Sequence, residues 1–215
     1  MALSEDSTRV VDALWNHVSE LHAEWKTLMQ LFGVSAEQSQ HLNTVAGALF
    51  DTVYRALLRD VLLGISRLTD ALKTGGKDNL VLERLQLLGE VEADAALSAT
   101  VAEKIADVRV KASSIRDYRN KYVAHLDLVA ALGPGSSVLP GINRSDVDAA
   151  LEAMADVFNA VEQGLRDRTV MFKDISIIGG AESLLRHLED AQSWRGLPRS
   201  KRLRLTRFVH GANCE

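Results

Sequence analysis

From Ser7 to Phe32 apolar residues recur at three- and four-residue steps: Val10, Val11, Leu14, Trp15, Val18, Leu21, Trp25, Leu28, Met29 and Phe32. This spacing predicts one amphipathic helix that ends before Gly33, with Trp15 and Trp25 in the core. Ser35 with Gln38 reads as a capping box. The periodicity then resumes through Leu49, Val53, Leu57, Val61, Ile65 and Leu68, which predicts a second long helix to about Leu68. Lys73-Thr74-Gly75-Gly76-Lys77-Asp78 breaks it. A short helix over Leu80 to Leu88 is expected next, followed by a third long element from Ala93 to about Ala124. Gly133-Pro134-Gly135-Ser136-Ser137 and Pro140-Gly141 form the most conspicuous breaker cluster, after which Ser145 with Asp148 opens a helix to about Arg166. Val170 to Ile178 is apolar and partly β-branched, a short strand or an extended crossing. Gly179-Gly180 ends it, and Ala181 to Trp194 is helical again.

Proline occupies only 3 positions, and the long 3.6-residue periodicity predicts an all-α bundle of long antiparallel helices. The length allows one domain, residues 1–194, with a separable arm at 195–215. With 47% hydrophobic and 25% charged residues the balance is that of a soluble globular chain, not of a disordered one. Cys214, the single cysteine, cannot form an internal disulfide, and Met1-Ala2-Leu3-Ser4-Glu5-Asp6 lacks the apolar run of a signal peptide. A cytoplasmic chain without membrane insertion is therefore expected. The net charge of −4 is unevenly spread. Arg195, Arg199, Lys201, Arg202, Arg204 and Arg207 follow one another without an acid until Glu215, so a basic arm trails an acidic body. Such an arm suits nucleic acid, or docking on its own body or on a second subunit.

The residues that bear chemistry concentrate in Ser113 to His125, which reads S-S-I-R-D-Y-R-N-K-Y-V-A-H. A guanidinium grips phosphate through a planar fork of donors, and an imidazole moves a proton near neutral pH. Arg119 suits the phosphate, His125 the proton transfer, and Asn120 the orientation of either. Together they suffice to cleave RNA without a metal. The bland alternative is a helix-terminal histidine that meets the dipole or caps carbonyl groups. Arg109, Lys111, Arg116 and Lys121 join Arg119 around the single acid Asp117, a local phosphate-attracting surface with Tyr118 beside it. On a straight helix Arg119 and His125 lie roughly 120° apart, whereas Tyr118, Lys121 and His125 share one stripe. Either the helix bends before His125, or groups from two subunits meet across a two-fold axis.

The run Arg119-Asn120-Lys121-Tyr122-Val123-Ala124-His125 resembles the Arg-Asn-x4-His signature of HEPN domains, helical modules of toxin-antitoxin, abortive-infection and other RNA-targeting defence systems. Ser66-Arg67-Leu68-Thr69-Asp70, Asn79-Leu80 and Ala124-His125-Leu126-Asp127 resemble the AbiU2-like branch, over about residues 5 to 190. The resemblance implies an HEPN-like bundle, a homodimer with both motif helices at one cleft, and a ribonuclease that leaves a 2′,3′-cyclic phosphate. It also implies an antitoxin or nucleotidyltransferase as partner. Members of the superfamily can lose activity and persist as adaptors that bind nucleotide, nucleic acid or protein, so a catalytically inactive dimeric adaptor is the rival reading.

Arg67 and Asp70, one turn apart, either pair with each other or face the motif. Asp127 either orients His125 or sits at a helix end. His17, His22, His41, His187 and His210 show no metal-ligand spacing and read as surface or satisfied-core residues. Gly75-Gly76 lacks the Lys-Ser/Thr of a phosphate-binding loop, so neither a metal nor a cofactor is expected.

Overall fold

Ser4 and Ser35 start the two longest helices. The computed structural model describes residues 3–120 and 142–196. In α1 (Glu5–Phe32) the Ser4 hydroxyl accepts from the Ser7 amide, and in α2 (Ala36–Leu68) Ser35 accepts from Gln38. Both supply an acceptor to donors that have no intrahelical partner. Only half of the expected box forms at Ser35, because the Gln38 side chain turns back to donate to the Leu31 carbonyl at 2.8 Å. That bond ties the start of α2 to the end of α1. Ala46 leaves helical geometry and kinks α2 (φ −161°, ψ 63°).

Leu21 packs against Gly64, Glu24 faces Asp60, and Phe32 meets Tyr54 and Phe50 edge-on. Numbers rise along α1 as they fall along α2, so the pair is antiparallel. A Cβ at Gly64 would sit 2.3 Å from Leu21 Cδ2, so the small residue sets how closely the helices approach. Two residues of the sequence-predicted apolar stripes are exposed: Trp15, expected in the core, at 42% and Leu49 at 60%.

After α2, Lys73–Thr74 and Lys77–Asp78 pair as a two-residue hairpin, β1 and β2, with Gly75 and Gly76 in its turn at φ 57° and 79°. Glycine tolerates both angles without strain. The short helix expected over 80–88 is a single 3-10 turn at Leu82–Leu85. The third long element, expected from Ala93, starts at Ala95 and is broken once among the described residues. Asp94 caps a new start by accepting from the Ala96 and Leu97 amides, which separates α3 (Gly89–Glu92) from α4 (Ala95–Lys111). At fully buried Ala112 the chain turns before α5 (Ser113–Tyr118). The end expected near Ala124 lies outside the described residues, as does the breaker cluster from Gly133 to Gly141.

Helix α6 (Arg144–Arg166) is capped two residues before the expected Ser145. Asn143 and Asp146 form the capping box, while Asp148 accepts the Trp25 indole N–H at 2.6 Å. Leu97 against Gly164 and Lys104 with Asp156 (3.3 Å) make α4 and α6 antiparallel. The 170–178 stretch is a crossing and not a strand. Asn159 pins Val170 by donating to its carbonyl and accepting from its amide, and Phe172 starts a 3-10 turn that buries its ring against Phe158 and His22. The last described helix, α7 (Ala181–Gly196), leans on α1 through Gln30, which donates to Glu182 at 2.6 Å. Leu14, Val18, Ile65, Leu85, Val108, Ile115, Leu151 and Phe158 lie in one core shared by α1, α2, α4, α5 and α6. The expected all-α class holds, the small hairpin being the only sheet among the described residues.

Candidate functional site

Thr69 and Asp70 close α2. Buried Thr69 donates its hydroxyl to the Ile65 and Ser66 carbonyls at 2.9 and 3.1 Å, and the Asp70 amide donates to Arg67. This rigid end of α2 presents the Asp70 carboxylate to α5. Arg119 Nη2 donates to both its oxygens, at 2.9 and 3.0 Å, and Arg116 Nη2 approaches Oδ1 at 3.5 Å. Arg116 on α5 and Arg119 just past its end thus reach the same carboxylate. Arg119 is half-buried, and its Nε is a buried donor with no partner among the described residues.

Of the two readings left open for Asp70, the geometry takes the one in which it faces the motif. Arg67 is exposed, pairs with no acid among the described residues, and lies elsewhere. At Arg119 and Asn120 the backbone widens into a π turn, so a straight-helix angle cannot be carried through this point. Asn120 is exposed. Lys121, His125 and Asp127 lie outside the described residues.

The expected basic surface is smaller than the sequence implied. Arg109 is paired with Glu83 at 2.7 Å and Lys111 with Asp107 at 2.8 Å, so acids brought in by the fold offset both cations. Tyr118 is 9% exposed and packs into the main core. There it bounds a cavity of about 350 Å³ with Trp25, Met29, Phe32 and Tyr54, so it does not present its ring to a ligand on the Arg119 side. Asp70, Glu83 and Arg109 border one small cleft. Around it stand three guanidinium groups, Arg109, Arg116 and Arg119, against two carboxylates, a residual positive charge of one.

A second charged cluster lies in a groove between α1 and α2, a cavity of about 330 Å³ lined by His17, Glu20, Glu24, Asp60, Gly64 and Arg67, with Leu21, Leu68 and Leu80. Burial, then the charge and hydrogen bond of Asp60, then the charge of Glu20, push the Glu24 carboxyl up to about 7. Glu20 and Glu24 are one turn apart in the sequence, but nothing there revealed that Asp60 would meet them.

His22 is a core residue stacked on Phe172 with ring centroids 5.4 Å apart, and burial lowers it to about 4. It is not fully satisfied, since its Nε2 has no partner among the described residues. The same residues contain no group of three or more His, Cys, Asp or Glu that could hold a metal ion, and no helix long and apolar enough to cross a membrane.

Compared with known proteins, residues 4–178 match the family model described as HEPN AbiU2. No curated protein and no solved structure matches the chain.

Proposed function

The chain belongs to the AbiU2 family of HEPN proteins, a family of the abortive-infection context, and from that premise we propose that it is a metal-independent endoribonuclease. The observation that carries the reading is the pair of guanidinium groups, Arg116 and Arg119, gathered on one carboxylate at the end of the motif helix. His125 removes the 2′-hydroxyl proton, and the alkoxide attacks the adjacent phosphorus. The 5′-oxygen leaves and is protonated, giving a 2′,3′-cyclic phosphate and a 5′-hydroxyl. Arg119 stabilises the oxygens on which negative charge grows, and a charge that does not titrate is suited to that work.

The active unit is a cytoplasmic homodimer in which two motif helices share one cleft, since a two-fold assembly supplies a second imidazole and a second guanidinium to one phosphodiester. The basic arm at 195–215 adds phosphate contacts outside that cleft. An antitoxin or a nucleotidyltransferase would hold the enzyme in check.

The pairing of Arg109 and Lys111 with acids favours a second reading, the inactive dimeric adaptor, because it leaves little free positive charge for RNA. Incubation of end-labelled RNA with the protein in EDTA separates the two. Cyclic-phosphate ends that fall roughly 100-fold or more in His125→Ala and in Arg119→Ala support the nuclease. Intact RNA under these conditions, with binding that Arg119→Ala weakens, gives the adaptor.

A further inference from the structure

We infer that Asp70 is a positioning residue, whose carboxylate orients the Arg119 guanidinium and holds Arg116 beside it as one paired phosphate clamp. The inference rests on the nuclease reading and names a residue from a different helix as part of its machinery.

Both oxygens of Asp70 are engaged by Arg119, and one of them also by Arg116. Two guanidinium groups this close repel each other. A shared anion makes the arrangement tenable and leaves one net positive charge, the complement of a single phosphodiester. The platform is stiff. Leu68 and Thr69 are buried, Thr69 is tied to two carbonyls of the last turn, and α5 is anchored beside it by buried Ile115. The two arginines differ in exposure. The Arg119 side chain is 21% exposed and that of Arg116 36%, so the second is the outer, more accessible half of the pair.

The state of Arg119 Nε is a separate observation. This buried N–H meets no acceptor among the described residues, so among them Asp70 alone fixes the plane of the guanidinium. Without the carboxylate the head group has reason to swing toward water, where its Nε–H would be solvated. Asp70 therefore acts through Arg119 and touches no substrate atom itself. Such a support is needed because a catalytic group misplaced by about 1 Å loses most of its effect.

The test compares wild-type dimer with Asp70→Asn, Asp70→Glu, Arg116→Gln, Arg119→Ala and Asp70→Asn/Arg119→Ala, each checked for native thermal unfolding. The rate of cleavage of a quenched fluorescent RNA is measured in EDTA. Asp70→Asn is expected to lower kcat at least about tenfold with KM changed less than about threefold, and Asp70→Glu to recover part of the loss. Arg116→Gln is expected to raise KM and reduce the salt slope by about one. The double variant should be no slower than Arg119→Ala alone, since both changes disable one unit.

In parallel, the Arg119 Nε–H resonance, assigned by its loss in Arg119→Lys, should shift and broaden in Asp70→Asn. A wild-type kcat or a faster one in Asp70→Asn overturns the inference, the second outcome marking Asp70 as a competitor of phosphate. Additive losses in the double variant overturn it too. If the wild type leaves RNA intact, the nuclease reading fails on its own, and the resonance still decides. An unchanged signal in Asp70→Asn shows that the carboxylate does not hold Arg119.

Discussion

Two aspartates on the same stretch of chain, Asp60 within α2 and Asp70 just past its end, meet opposite neighbours. Asp70 faces two guanidinium groups, one from α5 and one from the residue just past its end, and its negative charge draws them together. Asp60 faces Glu24 across the α1–α2 groove, where burial and then the Asp60 carboxylate push the Glu24 carboxyl up to about 7. The side chain is identical, so the difference lies in which element the fold sets opposite. One cluster depends on charge and the other on its partial removal, and the two should respond oppositely to conditions that strengthen or weaken charge.

The largest change in stability is expected from Gly64→Ala, which tests whether the carboxylate groove is shaped by packing before electrostatics. The added Cβ meets Leu21, so α1 must shift or Leu21 must change rotamer. Unfolding in urea should show a loss of about 1–3 kcal/mol. An unchanged midpoint would mean that the helices separate freely and that the carboxyl contact is incidental.

Next in size is the pH dependence of the groove. A Glu24 carboxyl raised from 4.5 to about 7 binds its proton more readily in the folded chain than in the unfolded one. Its contribution is complete below pH 4.5, declines as pH rises, and is gone above about 7. Glu20, whose charge adds to the shift, lines the same groove together with His17 and Arg67. His22, lowered to about 4, acts in the other direction, gaining stability between pH 4 and 6.5. The comparison is therefore made between variants. Relative to wild type, Glu24→Gln should become progressively more stable as pH is raised from 5 to 8, read from thermal midpoints. Parallel curves for the two proteins would show that the Glu24 carboxyl is not raised in the folded chain.

The smallest effect is that of salt, which sharpens the contrast directly. Raising NaCl from 0.05 to 0.5 M screens repulsion in the groove and attraction at Asp70 alike. At pH 8, where Glu24 is ionised, the stability gap between Glu24→Gln and wild type should narrow by a few tenths of a kcal/mol, and the deficit of Asp70→Asn should narrow too. A gap in either variant that widens with salt would contradict the sign assigned to its cluster.

The helices were legible because their signals are local. The Ser35-to-Gln38 cap, three- and four-residue apolar steps and glycine breaks all act within one or two turns, and α1, α2, α6 and α7 fall within about two residues of where those signals place them. The break within 93–120 was less visible, because Ala112 favours helix on its own and no capping residue or breaker marks the turn there.

The cluster was half legible. Arg119, Asn120 and Arg116 could be read from the motif, and the Lys111 pair with Asp107 was a four-residue spacing open to reading. Glu83 opposite Arg109 and Asp70 opposite Arg119 are 26 and 49 residues away in sequence, and no periodicity connects them. Tyr118 was misread because one helical stripe holds both core and surface positions, and only the packing partner decides which a residue becomes.

The bond between Asp70 and Arg119 spans 49 positions of chain and crosses the Gly75-Gly76 hairpin, the 3-10 turn and three helices on the way. It cannot exist in any partly made or partly melted molecule in which α5 has yet to dock on α2, because closing so long a loop is repaid only by contacts that form late. A ribosome-bound chain that has emerged only as far as α4 holds the anion without its cations. The ion pair thus comes into being with the finished tertiary structure, and a nick in the exposed hairpin would be felt there, far from where the chain was cut.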